Sequence, residues 1–226
     1  MRGLTSKGIG MATELWLVRH GQAAFGADDY DQLTDLGWLQ ARWLGGHLAS
    51  LGIPFRRVAS GTLRRQKETA QAIAESLDAD AEVIPGFEEY SADTLLTNAG
   101  FRDRDPSLTR REHFRRLRGV LLDWSEGKVE GAETWQAFNA RVRSAVDEAI
   151  SEGEGPVLVA SSGGAIALAL MQVLNLSPAQ MIEFNLQARN TGITRLVFAK
   201  GGVYVNMVNA IPHLERPDRI HAETYS

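Results

Sequence analysis

Apolar residues 15 to 18 form an unbroken run that stops at Arg19-His20-Gly21. The run is too short for a helix and closes on glycine, so it predicts a buried strand over residues 14 to 18 that opens into a loop. After a polar loop and Thr34 the period lengthens: Leu36, Leu39, Trp43, Leu44, Leu48 and Leu51 recur at helical spacing and the pattern ends at Gly52. A second short strand (55–60), a second helix (63–77) and a third strand (81–87) follow. Residues 88 to 128 break the alternation with a polar excursion that holds Gly100, Pro106 and a helix from Arg111 to Trp124, read as an inserted cap. A helix from Glu133 to about Ser151 gathers Trp135, Phe138, Val142, Ala145, Val146 and Ala149 on one side. Residues 155 to 174 read as strand, tight turn and buried helix, and 192–199 with 203–210 read as a β-hairpin. Strands that alternate with helices predict a three-layer α/β/α sandwich, a mostly parallel central sheet with helices on both faces.

Composition narrows this picture. At 226 residues and 44% hydrophobic content the chain builds one substantial core. Residues 13 to 226 are expected to form that single domain, while 1 to 12, small, polar and glycine-rich, read as a disordered leader with Met11 as an alternative start. Lys and Arg number 24 against 28 Asp and Glu, a net charge of −4, so no global attraction to nucleic acid or an anionic membrane is expected and any anion site must be local. The chain has no cysteine, which removes disulfides, thiolate metal sites and thiol nucleophiles and suits a reducing cytoplasmic setting. No stretch has the apolar length of a signal peptide core or a membrane span.

The candidate chemistry starts where the first strand ends. Parallel α/β sheets bind ligands beyond the carboxyl ends of their strands, and this strand delivers Arg19 and His20 there. A guanidinium fork complements a phosphate, and a neutral imidazole beside it can attack phosphorus while nearby cations screen the repulsion. Further segments extend the pattern: "LTDLGWLQA" at 33–41, "SGTLRRQKETA" at 60–70, "FEEY" at 87–90, "GAETWQAFNARV" at 131–142, the strand-to-helix segment at 157–174, "NTGIT" at 190–194 and "NAIPHL" at 209–214. In their order and spacing they resemble the histidine phosphatase superfamily, the phosphoglycerate mutase-like proteins, over nearly the whole chain after residue 13.

The resemblance implies that His20 accepts the phosphoryl group as a covalent phosphohistidine, with Arg19 and Arg65 gripping the phosphate. It matches Glu89 to the acid that protonates the leaving oxygen, Glu88 being the fallback. Water then hydrolyses the phosphohistidine with no metal or other cofactor, and the substrate is a small phosphorylated metabolite or other phosphate monoester. Phosphatase activity is expected over mutase activity, because the loop "GQAAFGADDYDQ" does not resemble that of glycolytic mutases.

One position departs from the family. Where a second catalytic histidine normally follows the strand, this chain has Ser162 before Gly163 and Gly164. A serine hydroxyl and the N–H groups at a helix N-terminus retain some phosphate binding, at reduced activity. His213 is the candidate to fill in, whereas His47, His113 and His221 read as surface or satisfied histidines. Cap arginines, Arg102, Arg104, Arg110, Arg111, Arg115, Arg116 and Arg118, read as a solvated face from which one or two reach the pocket mouth and select a polyanion. Two other functions stand beside the phosphatase: an inactive phospholigand- or partner-binding protein on the same fold, and a serine esterase with Ser162 as nucleophile, His213 as base and Glu183 or Asp218 orienting it.

Overall fold

A computed structural model describes residues 12–24, 31–102, 107–151 and 153–225. The expected leader, apart from Ala12, lies outside the described residues. Strands β1 (Thr13–Arg19), β2 (Arg57–Ser60), β3 (Ala81–Val83), β4 (Gly155–Ser161), β5 (Ile193–Ala199) and β6 (Gly202–Ala210) form one sheet in the order β3-β2-β4-β1-β5-β6. β3, β2, β4 and β1 run parallel, and β5 and β6 add an antiparallel edge. The helices are α1 (Asp35–Ser50), α2 (Arg64–Leu77), α3 (Ala92–Asn98), α4 (Arg110–Ser125), α5 (Trp135–Ser151), α6 (Gly163–Leu174) and α7 (Pro178–Leu186). No described helix is long and apolar enough to cross a membrane.

The continuous apolar run of β1 has a simple cause: β4 and β5 pair with its two edges, and helices pack on both of its faces. Side chains alternate along a strand, which sends Leu15 and Leu17 to one layer and Trp16 and Val18 to the other. The first pair packs in a cluster with Val157, Val159 and Phe138 and Val142 of α5. The second packs with Leu44 and Leu48 of α1, Ile73 of α2, and Val58 and Leu158. Two layers of helices about one sheet follow from that alternation.

Three elements differ from the sequence reading. The third strand spans only Ala81–Val83, and Pro85–Phe87 forms a 3₁₀ turn, because Pro85 has no N–H to continue a ladder. Helices α3 and α7 are additional; each is short and opens on a serine N-cap, Ser91 and Ser177, whose hydroxyl accepts from Thr94 N and Gln180 N. The segment from 88 to 128 carries α3 and α4, and its apolar residues join the main core. There Trp124 meets Trp135 edge-on at 5.1 Å and donates its indole N–H to the Glu133 carbonyl at 3.0 Å.

Where β1 ends, the chain passes close over the first turn of α1. A Cβ on Gly21 would lie 2.5 Å from the Gly37 carbonyl oxygen, and one on Gly37 would lie 2.2 Å from that of Gln22. Two glycines therefore let the loop after His20 lie directly on the helix.

Candidate active site

His20 follows the last residue of β1 and is 2% exposed. Its backbone N–H extends the sheet ladder to the Ser161 carbonyl (2.9 Å), and its carbonyl accepts from Asn190 Nδ2 (3.0 Å). The ring has two neighbours. Nδ1 lies 2.8 Å from the Gly21 carbonyl, which can only accept, so Nδ1 carries the hydrogen and Nε2 keeps its lone pair. Toward Nε2 the Arg65 Nε–H is directed at 3.2 Å. Burial, reinforced by the charges of Arg65 and Arg19, holds the imidazole pKa well below its ordinary value, so the ring is neutral at physiological pH.

Arg65 sits in the first turn of α2 and is 8% exposed. Leu63, the residue before this helix, has no side-chain acceptor, and Asp31 serves instead. One Asp31 carboxylate oxygen accepts from Arg64 N (2.8 Å), while the other accepts from Arg65 N (3.4 Å) and pairs with Arg65 Nη1 (2.8 Å). A single carboxylate thus caps the helix and aims the guanidinium. Arg19, on the other side, donates from Nη1 to the Ala188 carbonyl.

Glu89 completes the group. Its Oε2 accepts from Gly164 N (2.8 Å) and its Oε1 from Tyr90 N (3.1 Å). Burial nevertheless raises its pKa, outweighing these hydrogen bonds and the pull of Arg65 and Arg19. Arg19, His20, Arg65, Glu88 and Glu89 all line one cavity of about 370 Å³. The set brings together a neutral nucleophilic nitrogen, two guanidinium forks and a carboxyl group biased toward its acid form.

Not every expected residue reaches that wall. Ser162 is 1% exposed and stands behind the cavity, its hydroxyl accepting from Gln66 Nε2 at 2.8 Å. Gly163 lies outside it too, and the Gly164 N–H is engaged by Glu89. His213 is also absent from the wall: the Thr191 hydroxyl donates to the Asn190 carbonyl (2.7 Å) and accepts from His213 Nε2 (2.8 Å). Burial, then the neighbouring His47 and Arg219, lower the His213 pKa to about 3. The serine esterase reading fails on this geometry, because the Ser162 hydroxyl is bonded to an amide and His213 to a threonine. Its orienting carboxylates are engaged elsewhere, Glu183 with Arg118 and Asp218 with Arg216 and Arg219.

The cap corrects two more expectations. His113 lines the cavity instead of facing solvent, and none of the described cap arginines does. Arg110 lies over the Phe114 ring and Arg116 over Phe101; Arg104 is outside the described residues. The structure adds three residues to the neighbourhood of the site that the sequence does not mark as part of it: Asp31, Gln66 and His113. Gln66 is fully buried, and its amide also spans the Phe87 carbonyl (3.2 Å) and Leu63 N (3.2 Å). A polar residue next to Arg65 on the buried side of α2 is the one sequence signal that marks it.

Comparison with known proteins agrees with this architecture. The chain belongs to the histidine phosphatase superfamily (branch 1), whose family model matches residues 15–211. Among curated proteins it is similar to the adenosylcobalamin/alpha-ribazole phosphatase of Salmonella typhimurium, 26% identical over 182 residues, which cover 76% of this chain and 85% of that protein. Among solved structures it shares its fold with mycobacterial hydrolase 2 (TM-score 0.70, 22% identity, 94% of this chain and 97% of that one). A phosphoglycerate mutase from Bacillus anthracis also shares it (TM-score 0.63, 20% identity, 90% and 95%).

Proposed function

We propose that this chain hydrolyses phosphate monoesters through a covalent phosphohistidine on Nε2 of His20. The observation that carries the reading is the unprotonated Nε2, which accepts from Arg65 on a cavity wall shared with Arg19 and Glu89. Nε2 attacks phosphorus in line with the ester oxygen; the N–P bond forms as the P–O bond to the alcohol breaks. Arg19 and Arg65 neutralise the equatorial oxygens, and protonated Glu89 gives its proton to the leaving alkoxide. Water then attacks phosphorus, Glu89 as carboxylate takes the proton, the N–P bond breaks and inorganic phosphate leaves. Phosphatase rather than mutase activity is supported by the Salmonella relative, whose name is that of a phosphatase.

Ser162 occupies the place where the family normally has a second histidine, and with its hydroxyl turned to Gln66 it gives the phosphoryl group no charge. Loss of one such donor costs about 100- to 1000-fold in rate, so turnover is expected to be slow. The test is an aryl phosphate assay in EDTA on wild type, His20→Ala and Ser162→His. Turnover in wild type, its loss in His20→Ala and a phosphohistidine trapped on quenching are expected. Undiminished turnover in His20→Ala would overturn the nucleophile assignment. Vanadate protection against thermal unfolding with no turnover would assign an inactive phosphate-binding protein.

A further inference from the structure

The cavity is lined by two kinds of element. β1 with the residue after it and α2 bring Arg19, His20 and Arg65, whose two guanidiniums suffice for a single phosphate. The cap brings Leu96 of α3 and Phe114 and Leu117 of α4, with Asp93 and His113 among them and Tyr90 also on the lining. Tyr90 is held rigidly there: Asn185 Nδ2 donates to its hydroxyl at 2.8 Å, and its ring packs edge-on against Phe138 at 5.8 Å. Glu88, Glu89 and Asp93 add three carboxyl groups to the same lining.

We infer that the cavity selects phosphate monoesters whose alcohol is apolar and flat, an aryl or arylalkyl group with no second anionic substituent. The inference rests on the phosphatase reading of the same site. An aryl group placed against Phe114, Leu117 and Leu96 removes its apolar surface from water at little conformational cost. A second phosphate or carboxylate against that wall gives up its water to leucines and meets the carboxylates of Glu88 and Asp93, which the single imidazole of His113 offsets only in part. The arginines of α4 do not relieve this, since none of them lines the cavity; Arg110 lies over Phe114, Arg116 over Phe101 and Arg118 pairs with Glu183. A volume of about 370 Å³ is at the small end of ligand pockets and fits a phosphate with one or two rings.

The test uses phosphonates, which bind without being hydrolysed, titrated calorimetrically into the full chain. Benzylphosphonate is expected to bind about tenfold more tightly than methylphosphonate. Phosphonoacetate, which adds a carboxylate, is expected to bind no more tightly than methylphosphonate. Phe114→Ala should remove most of the benzyl advantage over methylphosphonate, while Phe114→Leu, which keeps the core contact, should retain part of it. Phosphonoacetate binding more tightly than benzylphosphonate would overturn the inference. Because this readout is binding, the two proposals fail separately. Hydrolysis with a preference for polyanions sinks the pocket inference alone, and a benzyl preference without turnover sinks the phosphatase reading alone. Failure of every phosphonate to bind sinks both.

Discussion

A buried imidazole between a carbonyl and a guanidinium has one lone pair to offer, and its neighbours decide when that pair is free. His20 stays neutral because its pKa is held down, so lowering the pH over the physiological range does not protonate it. Glu89 behaves oppositely. Its pKa is raised, and an acid catalyst loses its proton as pH climbs through that raised value, so kcat/KM is expected to fall toward alkaline pH. In Glu89→Gln that limb should disappear from the pH profile, with a loss of about 100- to 10,000-fold for alkyl esters and less for aryl esters, which leave without a proton. An unchanged limb in Glu89→Gln would transfer the acid role to Glu88. Of these residues, Arg19, His20, Arg65 and Glu89 are legible in the sequence because each sits inside a recognisable motif. Asp31 and Gln66 are not, since an aspartate in a loop and a glutamine in a helix acquire meaning only from what folds beside them.

At the scale of elements, α2 is where three segments of the site are joined. Asp31 ties the loop before α1 to its N-terminus, and Gln66 bonds Ser162 after β4 and Phe87 before the acid. Gln66→Ala leaves the Ser162 hydroxyl and the Leu63 N–H without that partner and opens a small void. A stability loss of about 2 kcal/mol in urea denaturation is expected. A loss below about 0.5 kcal/mol would mean that the joint is not structural. The same scale shows which elements a sequence reveals. Long runs with a clear period, α1 and α5, are legible from spacing alone, and α6, buried all round, from its unbroken apolar run after a glycine turn. α3 and α7, of 7 and 9 residues, are too short for a period to stand out, and only their serine caps mark them. β3 is a three-residue exposed edge whose apolar continuation turns at Pro85.

Over the whole molecule, the segment after β6 folds back beneath the site. Gln40 of α1 donates to the Ala222 carbonyl (2.7 Å) and to Thr224 (2.8 Å), and Asn190, which holds the His20 carbonyl, donates its N–H to the Thr224 carbonyl (3.0 Å). His213 lies within this closure, neutral, with a pKa of about 3 against an ordinary 6.5. The unfolded chain therefore binds a proton that the folded chain refuses between those two values. Stability should fall as pH drops below 6.5, by about 1.4 kcal/mol per pH unit for one such group. His20, depressed in the same sense, adds to the slope. His213→Gln should make the slope shallower by roughly one proton in denaturation curves from pH 6.5 to 4; an unchanged slope would place the sensitivity elsewhere.

β1 carries His20 at its end, yet its sheet partners are β4 and β5, with Thr13 opposite Gly155 on one side and Phe198 on the other. A ribosome therefore delivers the reactive strand well before either of its neighbours. A nascent chain holds the apolar run of residues 15 to 18 without its sheet partners until residues 155 to 161 and then 193 to 199 have been made. Early exposure of that strand to chaperones is built into the strand order.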